Sequence, residues 1–190
     1  TTDKSRSLVH KLRAGFDAII IGGNTLRKDN PLLTTRGLKK TEPLRVVFTR
    51  TLDLPLKAKL WDTESSKTIV VYDSSIANED NLKKIPKNIS IKKLPSDNPK
   101  MLSKFLAEKG CNKVLWECGP KLATSAIKAG CIQECITFIA PKIIGGEDCM
   151  TPFSDFKFTS MQEVLNLNLK ELSRIDNDIC LKSDLLTKFL

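Results

Sequence analysis

Four short, unbroken apolar runs limit what this chain can fold into: Asp17 to Ile21 (DAIII), Leu44 to Thr49 (LRVVFT), Lys67 to Tyr72 (KTIVVY) and Lys113 to Trp116 (KVLW). The first is a short continuous run, the mark of a strand buried on both faces, and the other three read as further strands. Between them lie stretches of helical period. Thr1 to Ala14 reads as an amphipathic helix stopped by Gly15, Pro99 to Lys109 as a helix stopped by Gly110, and Lys121 to Ala129 as one stopped by Gly130. A weaker strand is expected over Ile89 to Leu94 and another over Glu134 to Ala140. Leu165 to Ser173 and Asp178 to Leu185 form an antiparallel pair about Asp176-Asn177. Strands alternating with helices predict one α/β domain whose mixed, mostly parallel sheet is flanked by helices. At 190 residues the chain can bury a core without a metal or disulfide staple.

The net charge of +9 favours an anionic partner: nucleic acid, an anionic membrane surface or a phosphorylated small molecule. Lysines occur as scattered doublets and never as a long basic arm, so a solvated basic surface is the plain reading. Six cysteines are present, with Cys131 and Cys135 four apart and the only histidine, His10, distant in sequence. That spacing suits neither a zinc site nor a disulfide framework, and free, mostly buried thiols are expected. No apolar run approaches the roughly 18 residues of a membrane span. The chain reads as cytoplasmic.

In open α/β sheets, ligands sit beyond the carboxyl ends of the strands. Two loops there carry chemistry. After the first strand comes Gly22-Gly23-Asn24-Thr25, where Asn24-Thr25 can cap a short helix that Asp29-Asn30-Pro31 breaks. After the fifth comes Glu117-Cys118-Gly119-Pro120, in which glycine permits close backbone approach and proline suits the first helical position. Each helix start is a candidate anion site. The dinucleotide fingerprint G-x-G-x-x-G is absent.

Taken together, these blocks resemble a known family. The string LRA-x-x-DAI-x-IGGNTLRKDNPLLTTR, then LWECGPKLATSAIKAG and CIQECITFIAPKIIGG, is similar to the reductase domain of bifunctional riboflavin-biosynthesis proteins, from about Ser7 to Leu185. The resemblance implies a dihydrofolate-reductase-like fold, with NADPH reducing the ribosyl chain of an aminopyrimidine 5′-phosphate to ribityl. It implies NADP contacts at Thr25 and Asp29, and a pyrophosphate-binding helix start over Gly119, Pro120, Lys121, Leu122, Ala123, Thr124 and Ser125. It implies substrate contacts at Arg13, Leu33, Arg36 and Glu117, the two arginines on the phosphate. Arg50, just past the second strand, resembles the group that grips the NADPH 2′-phosphate in dihydrofolate-reductase-like folds. The riboflavin reductases often carry a small hydroxyl residue there, and a solvated Arg50 is the alternative.

The resemblance also implies a homodimer, for which the apolar stretches Ile136 to Ile144 and Ile179 to Leu186 are candidates. The family's first strand, ending in Ser-Leu-Asp-Gly, has no counterpart here. Nor has the deaminase domain, whose H-x-E and P-C-x-x-C are missing, so the chain reads as a reductase domain lacking its first strand. The proton donor is unassigned. His10 sits within the first helix, away from the strand ends, and Glu117 would need a proton or an intervening water. Two rivals are a dihydrofolate reductase, against which the first strand has no usable carboxylate and the substrate-side arginines suit a phosphate, and a basic nucleic-acid module. The latter would want sheet-face aromatics, yet aromatics are 6% of residues and the strands carry Val and Ile.

Overall fold

The computed structural model describes residues 1–146 and 151–186. Its elements run α1 (Asp3–Ala14), β1 (Ala18–Gly22), α2 (Gly23–Asp29), β2 (Leu44–Thr49), β3 (Thr68–Asp73), β4 (Ser90–Leu94), α3 (Pro99–Glu108), β5 (Val114–Trp116), α4 (Pro120–Lys128), β6 (Glu134–Ile139), β7 (Leu167–Ile175) and β8 (Asp178–Leu185). The strands expected from the apolar runs are all present. Two short 3₁₀ turns, Lys59–Trp61 and Glu79–Lys84, lie in segments that carry no periodic signal.

Five strands form an all-parallel sheet in the order β4-β3-β2-β1-β5. Its centre is the DAIII run: Ala18, Ile19, Ile20 and Ile21 are wholly buried, and so are Val46, Val47, Val70 and Val71 beside them. Alternate residues feed two cores. Ile19, Ile21, Val47, Val70 and Tyr72 pack with Leu26, Leu33 and Leu60 on one face. Ala18, Ile20, Val46, Phe48 and Val71 pack with Leu102 and Leu106 of α3 on the other. This two-sided burial is why the strand sequences do not alternate.

The closing hairpin does not join that sheet. It pairs with β6 in a separate antiparallel sheet of order β6-β8-β7, and no ladder links the two sheets among the described residues. The single mixed sheet expected from the sequence is thus two sheets, one of each kind. The first helix is capped by Thr2, whose side chain accepts from the Ser5 N–H. Asp178, at the start of β8, accepts from the Thr2 N–H and the Ser5 hydroxyl at 2.6 Å each, tying α1 to the second sheet.

Candidate functional site

The carboxyl ends of β1 and β5 open onto one groove of about 430 Å3, lined by Ile21, Thr25, Asp29, Pro31, Leu33, Trp116, Glu117, Cys118 and Gly119. The two glycine-bearing loops meet there: a Cβ built on Gly119 would stand 3.7 Å from the Thr25 hydroxyl oxygen, and one on Gly22 3.7 Å from Leu122. Gly23 is more tightly held, since a Cβ there would come within 3.1 Å of the Thr49 hydroxyl oxygen and 3.2 Å of Leu54. The α2 N-cap is Gly22, with no side-chain cap, so the cap expected from Asn24-Thr25 is not formed and Thr25 turns instead toward the groove. Asn30 ends α2 in the left-handed conformation and accepts from the Lys59 N–H, and Pro31 then prevents continuation. Helix α4 begins with Pro120 and has Gly119 as an N-cap without a side chain, which leaves first-turn N–H groups open to an anion.

Glu117 is set at the end of β5 by its own N–H, which donates to the Ile20 carbonyl at 3.0 Å and prolongs the β1–β5 pairing. Its side chain is gripped from behind. Arg13, 9% exposed, donates from Nε to Oε2 at 2.9 Å and from Nη2 to Oε1 at 2.6 Å. Arg13 Nη1 also donates to the Thr34 carbonyl at 3.2 Å, and His10 Nδ1 meets the same oxygen at 2.8 Å. His10 thus reaches the loop that carries Leu33, without being among the residues that line the groove. Arg13, expected on the substrate phosphate, has its guanidinium committed within the protein to Glu117 and Thr34.

The segment from Leu32 to Arg36 is the third wall. Leu33 (φ 54°, 1% exposed) and Arg36 (φ 55°) both take the left-handed conformation that side chains disfavour. Behind it lies Arg45, which the sequence reading did not single out. Its buried guanidinium donates to the carbonyls of Leu32 (3.4 Å), Leu60 (3.3 Å), Ser66 (2.7 Å) and Asp62. Its position inside a β-strand run was the only available signal.

The groove therefore gathers Thr25, Asp29, Leu33, Glu117 and Gly119. Arg36, three residues beyond Leu33, is exposed, is not among the groove's lining residues, and has no ion-pair partner among the described residues. Pro120, Lys121, Leu122, Ala123 and Ser125 follow along α4, but the Thr124 hydroxyl is engaged with the Ser154 N–H (2.9 Å) and carbonyl (3.2 Å). Arg50 lies outside the groove lining, past β2, with its Nε 3.8 Å from Asp97 Oδ2. Trp116 and Cys118, not expected at the site, also line it; burial pushes the Cys118 thiol up to about 12. Of the five described cysteines, Cys180 is buried and the other four are half-buried, a more open set than expected; Cys149 lies outside the described residues. No group of three or more His, Cys, Asp or Glu suited to a metal, and no helix long and apolar enough to cross a membrane, occurs among the described residues.

A parallel sheet whose order reverses between β1 and β5, with a groove at the ends of those two strands, defines an α/β domain of the kind that places its site there. The chain belongs to the RibD C-terminal domain family, whose model matches residues 1–181. It is 42% identical to the riboflavin biosynthesis protein RibD of Synechocystis over 88% of its length and 45% of that protein's. It is 40% identical to the chloroplastic riboflavin biosynthesis protein PYRR of Arabidopsis thaliana, over 86% of its length and 27% of that protein's. The chain thus spans less than half of these relatives. An Aquifex aeolicus protein named 2,5-diamino-6-ribosylamino-4(3H)-pyrimidinone 5′-phosphate reductase is 27% identical, over 88% of this chain and 76% of that one. The fold is shared with Acinetobacter baumannii RibD, at a TM-score of 0.81 and 24% identity over 97% of this chain and 51% of that one.

Proposed function

We propose that this domain reduces the ribosyl group of an aminopyrimidine 5′-phosphate to ribityl in riboflavin biosynthesis, with NADPH as the donor. The observation that carries this reading is the groove itself. One wall offers the Thr25–Gly119 junction and the open start of α4, and the other offers Glu117 and Leu33, the latter three residues before the exposed Arg36. The glycine cradle and uncapped N–H groups fit a pyrophosphate. When bound, NADPH supplies the hydride to C1 of the ring-opened ribosyl group. Arg36 grips the substrate phosphate, binding energy remote from the reacting carbon that orients it. Glu117 keeps lone pairs beyond those taken by Arg13 and accepts from N–H groups of the pyrimidine. Trp116 and Leu33 keep water from the reacting carbon.

Calorimetry with NADPH and NADH, followed by turnover of the amino-uracil phosphate, tests the reading. Saturable NADPH binding is expected, and its absence overturns the assignment. The nucleic-acid rival loses support because Phe48 and Tyr72, the aromatics of β2 and β3, are buried and cannot stack on bases.

The active form is a homodimer. One face of the β6–β8–β7 sheet carries Ile139, Leu167, Leu169, Leu172 and Ile179, each at least 40% exposed. A register shift between Leu169 and Glu171 keeps Leu172, opposite Leu181, on the same face as Leu169, opposite Ser183. A mostly apolar face of this kind calls for a cover, and a second copy supplies a matching one. Light scattering giving a monomer mass at micromolar concentration refutes this. Among the described residues β5 pairs only with β1 and β6 only with β8, so each leaves an edge that a further strand, as the family resemblance implies, could join. A chain extended N-terminally by roughly twenty-five residues, about a strand and its loop, is expected to be more stable and more active. Equal turnover by both chains overturns that expectation.

A further inference from the structure

We infer that Glu42 is a positioning residue for Arg36, acting through Thr35, and that it thereby sets the preference of the site for a phosphorylated substrate. The inference rests on the reading of Arg36 as the phosphate ligand. Thr35 is wholly buried, and both of its donors go to one carboxylate: its N–H to Glu42 Oε2 at 2.8 Å and its hydroxyl to Glu42 Oε1 at 2.6 Å. The Lys39 N–H in turn donates to the Thr35 hydroxyl at 3.3 Å, and the Leu38 N–H to the Thr35 carbonyl at 3.4 Å. The loop from Thr35 to Glu42 is thus closed on itself. Glu42 is anchored by the buried Pro43 and by β2, where the Leu44 N–H donates to the Asp17 carbonyl at 2.9 Å.

Arg36 follows this clamp directly. Its backbone is left-handed, a conformation that a side-chain-bearing residue keeps only where its surroundings enforce it. The His10, Arg13 and Arg45 contacts fix Thr34 and Leu32. The residue next to Arg36 is fixed by Glu42. The guanidinium that emerges is exposed and has no ion-pair partner among the described residues. The clamp therefore fixes the backbone from which an unengaged cation departs, and with it the direction of the Arg36 Cα–Cβ bond. Such pre-organisation spares a ligand the ordering cost of its own binding loop.

The test is calorimetry on the full chain saturated with NADPH, with the ribosylaminopyrimidine 5′-phosphate and its dephosphorylated form as ligands. Arg36→Ala should cut the preference for the phosphorylated ligand about tenfold or more. Glu42→Ala should cut it about three- to tenfold, with unchanged NADPH affinity and unchanged binding of the dephosphorylated ligand. Glu42→Gln should restore most of it, because the amide oxygen accepts the Thr35 N–H and the amide nitrogen donates to its hydroxyl. Thr35→Val, which removes one of the two contacts while keeping the shape, should fall between and serves if Glu42→Ala does not fold. The double variant Arg36→Ala with Glu42→Ala should be no worse than Arg36→Ala. If Arg36→Ala leaves the preference intact, the phosphate reading itself fails and the inference goes with it. If Arg36→Ala abolishes the preference but Glu42→Ala and Thr35→Val do not reduce it, or reduce both ligands equally, the inference about Glu42 alone is overturned.

Discussion

Arg13 and Glu117, 104 positions apart in sequence, face each other fork to fork: Nε to Oε2 at 2.9 Å and Nη2 to Oε1 at 2.6 Å. The pair carries the carboxylate from the end of β5 to the mouth of the groove and holds it at one angle. Planar two-point contact is what guanidinium does and ammonium does not. Arg13→Lys is therefore expected to lower kcat/KM for the pyrimidine phosphate about tenfold or more, the equivalent of roughly 1.4 kcal/mol, with NADPH affinity unchanged. Steady-state kinetics with each substrate varied in turn decide it. A lysine variant with wild-type kinetics would mean that the fork is not used.

Arg50 and Asp97 make a looser pair at 3.8 Å, with Arg50 exposed and Asp97 partly so. Arg50→Ala is expected to weaken NADPH by about 1–3 kcal/mol and to leave NADH nearly untouched. Asp97→Asn frees the guanidinium and should shift the ratio slightly the other way. Equal losses for both cofactors on Arg50→Ala sink the 2′-phosphate assignment.

Arg45 serves the fold from inside. Burial lowers its pKa despite the opposing pull of Asp62 and Glu42. Replacing it by leucine fills the space but strands the carbonyls of Leu32, Leu60, Asp62 and Ser66 without their donor. The expected cost is on the order of 3 kcal/mol, read from urea unfolding, and lysine, which cannot fan out to four acceptors, should not rescue it. A loss below about 1 kcal/mol, the worth of a single ordinary hydrogen bond, would show that water replaces the guanidinium.

Acid should loosen the joint between α1 and the second sheet. The Ser5 hydroxyl and the Thr2 N–H hold the Asp178 carboxyl below its ordinary value, against an opposing desolvation effect. Its unfolded counterpart titrates near about 3.9. Between the two values the unfolded chain binds more protons, so stability rises with pH. The contribution is fully present above the unfolded value and disappears as pH falls through the folded one. Thermal melts from acid to neutral pH should show a steeper acid limb for the wild type than for Asp178→Asn; identical limbs would remove Asp178 from the account. Asp17, lowered chiefly by the Lys113 N–H, adds a contribution of the same sign.

Much of this was legible in the residues. The β1, β2 and β3 runs announced buried strands because apolar side chains on both faces leave no other solution; the β5 run announced a strand, which lies half-buried at the sheet edge, and the Asp176-Asn177 turn marked the hairpin. Five site residues lie together in the groove because the two loops that carry them follow adjacent strands. Less visible was the split into two sheets, since pairing between strands distant in sequence depends on contacts that no local pattern encodes. Nor could spacing reveal that Arg13 turns inward to Glu117. A helix arginine looks the same in sequence whether it faces solvent or a carboxylate 104 positions away. Arg45 was hidden for the converse reason: inside an apolar strand run, one cation gives no sign of which carbonyls await it.

Because no ladder joins the two sheets among the described residues, their backbone amides need not exchange with solvent as one unit. In β1, β2 and β3, backbone amides sit under side chains buried on both faces, and their protons should be lost only on global opening. The β7 strand is exposed along most of its length and bonded on one side only, so its protons should be lost first, on local fraying. A slow parallel block and a fast hairpin would then divide the exchange map at α4, the helix that crosses from one sheet to the other.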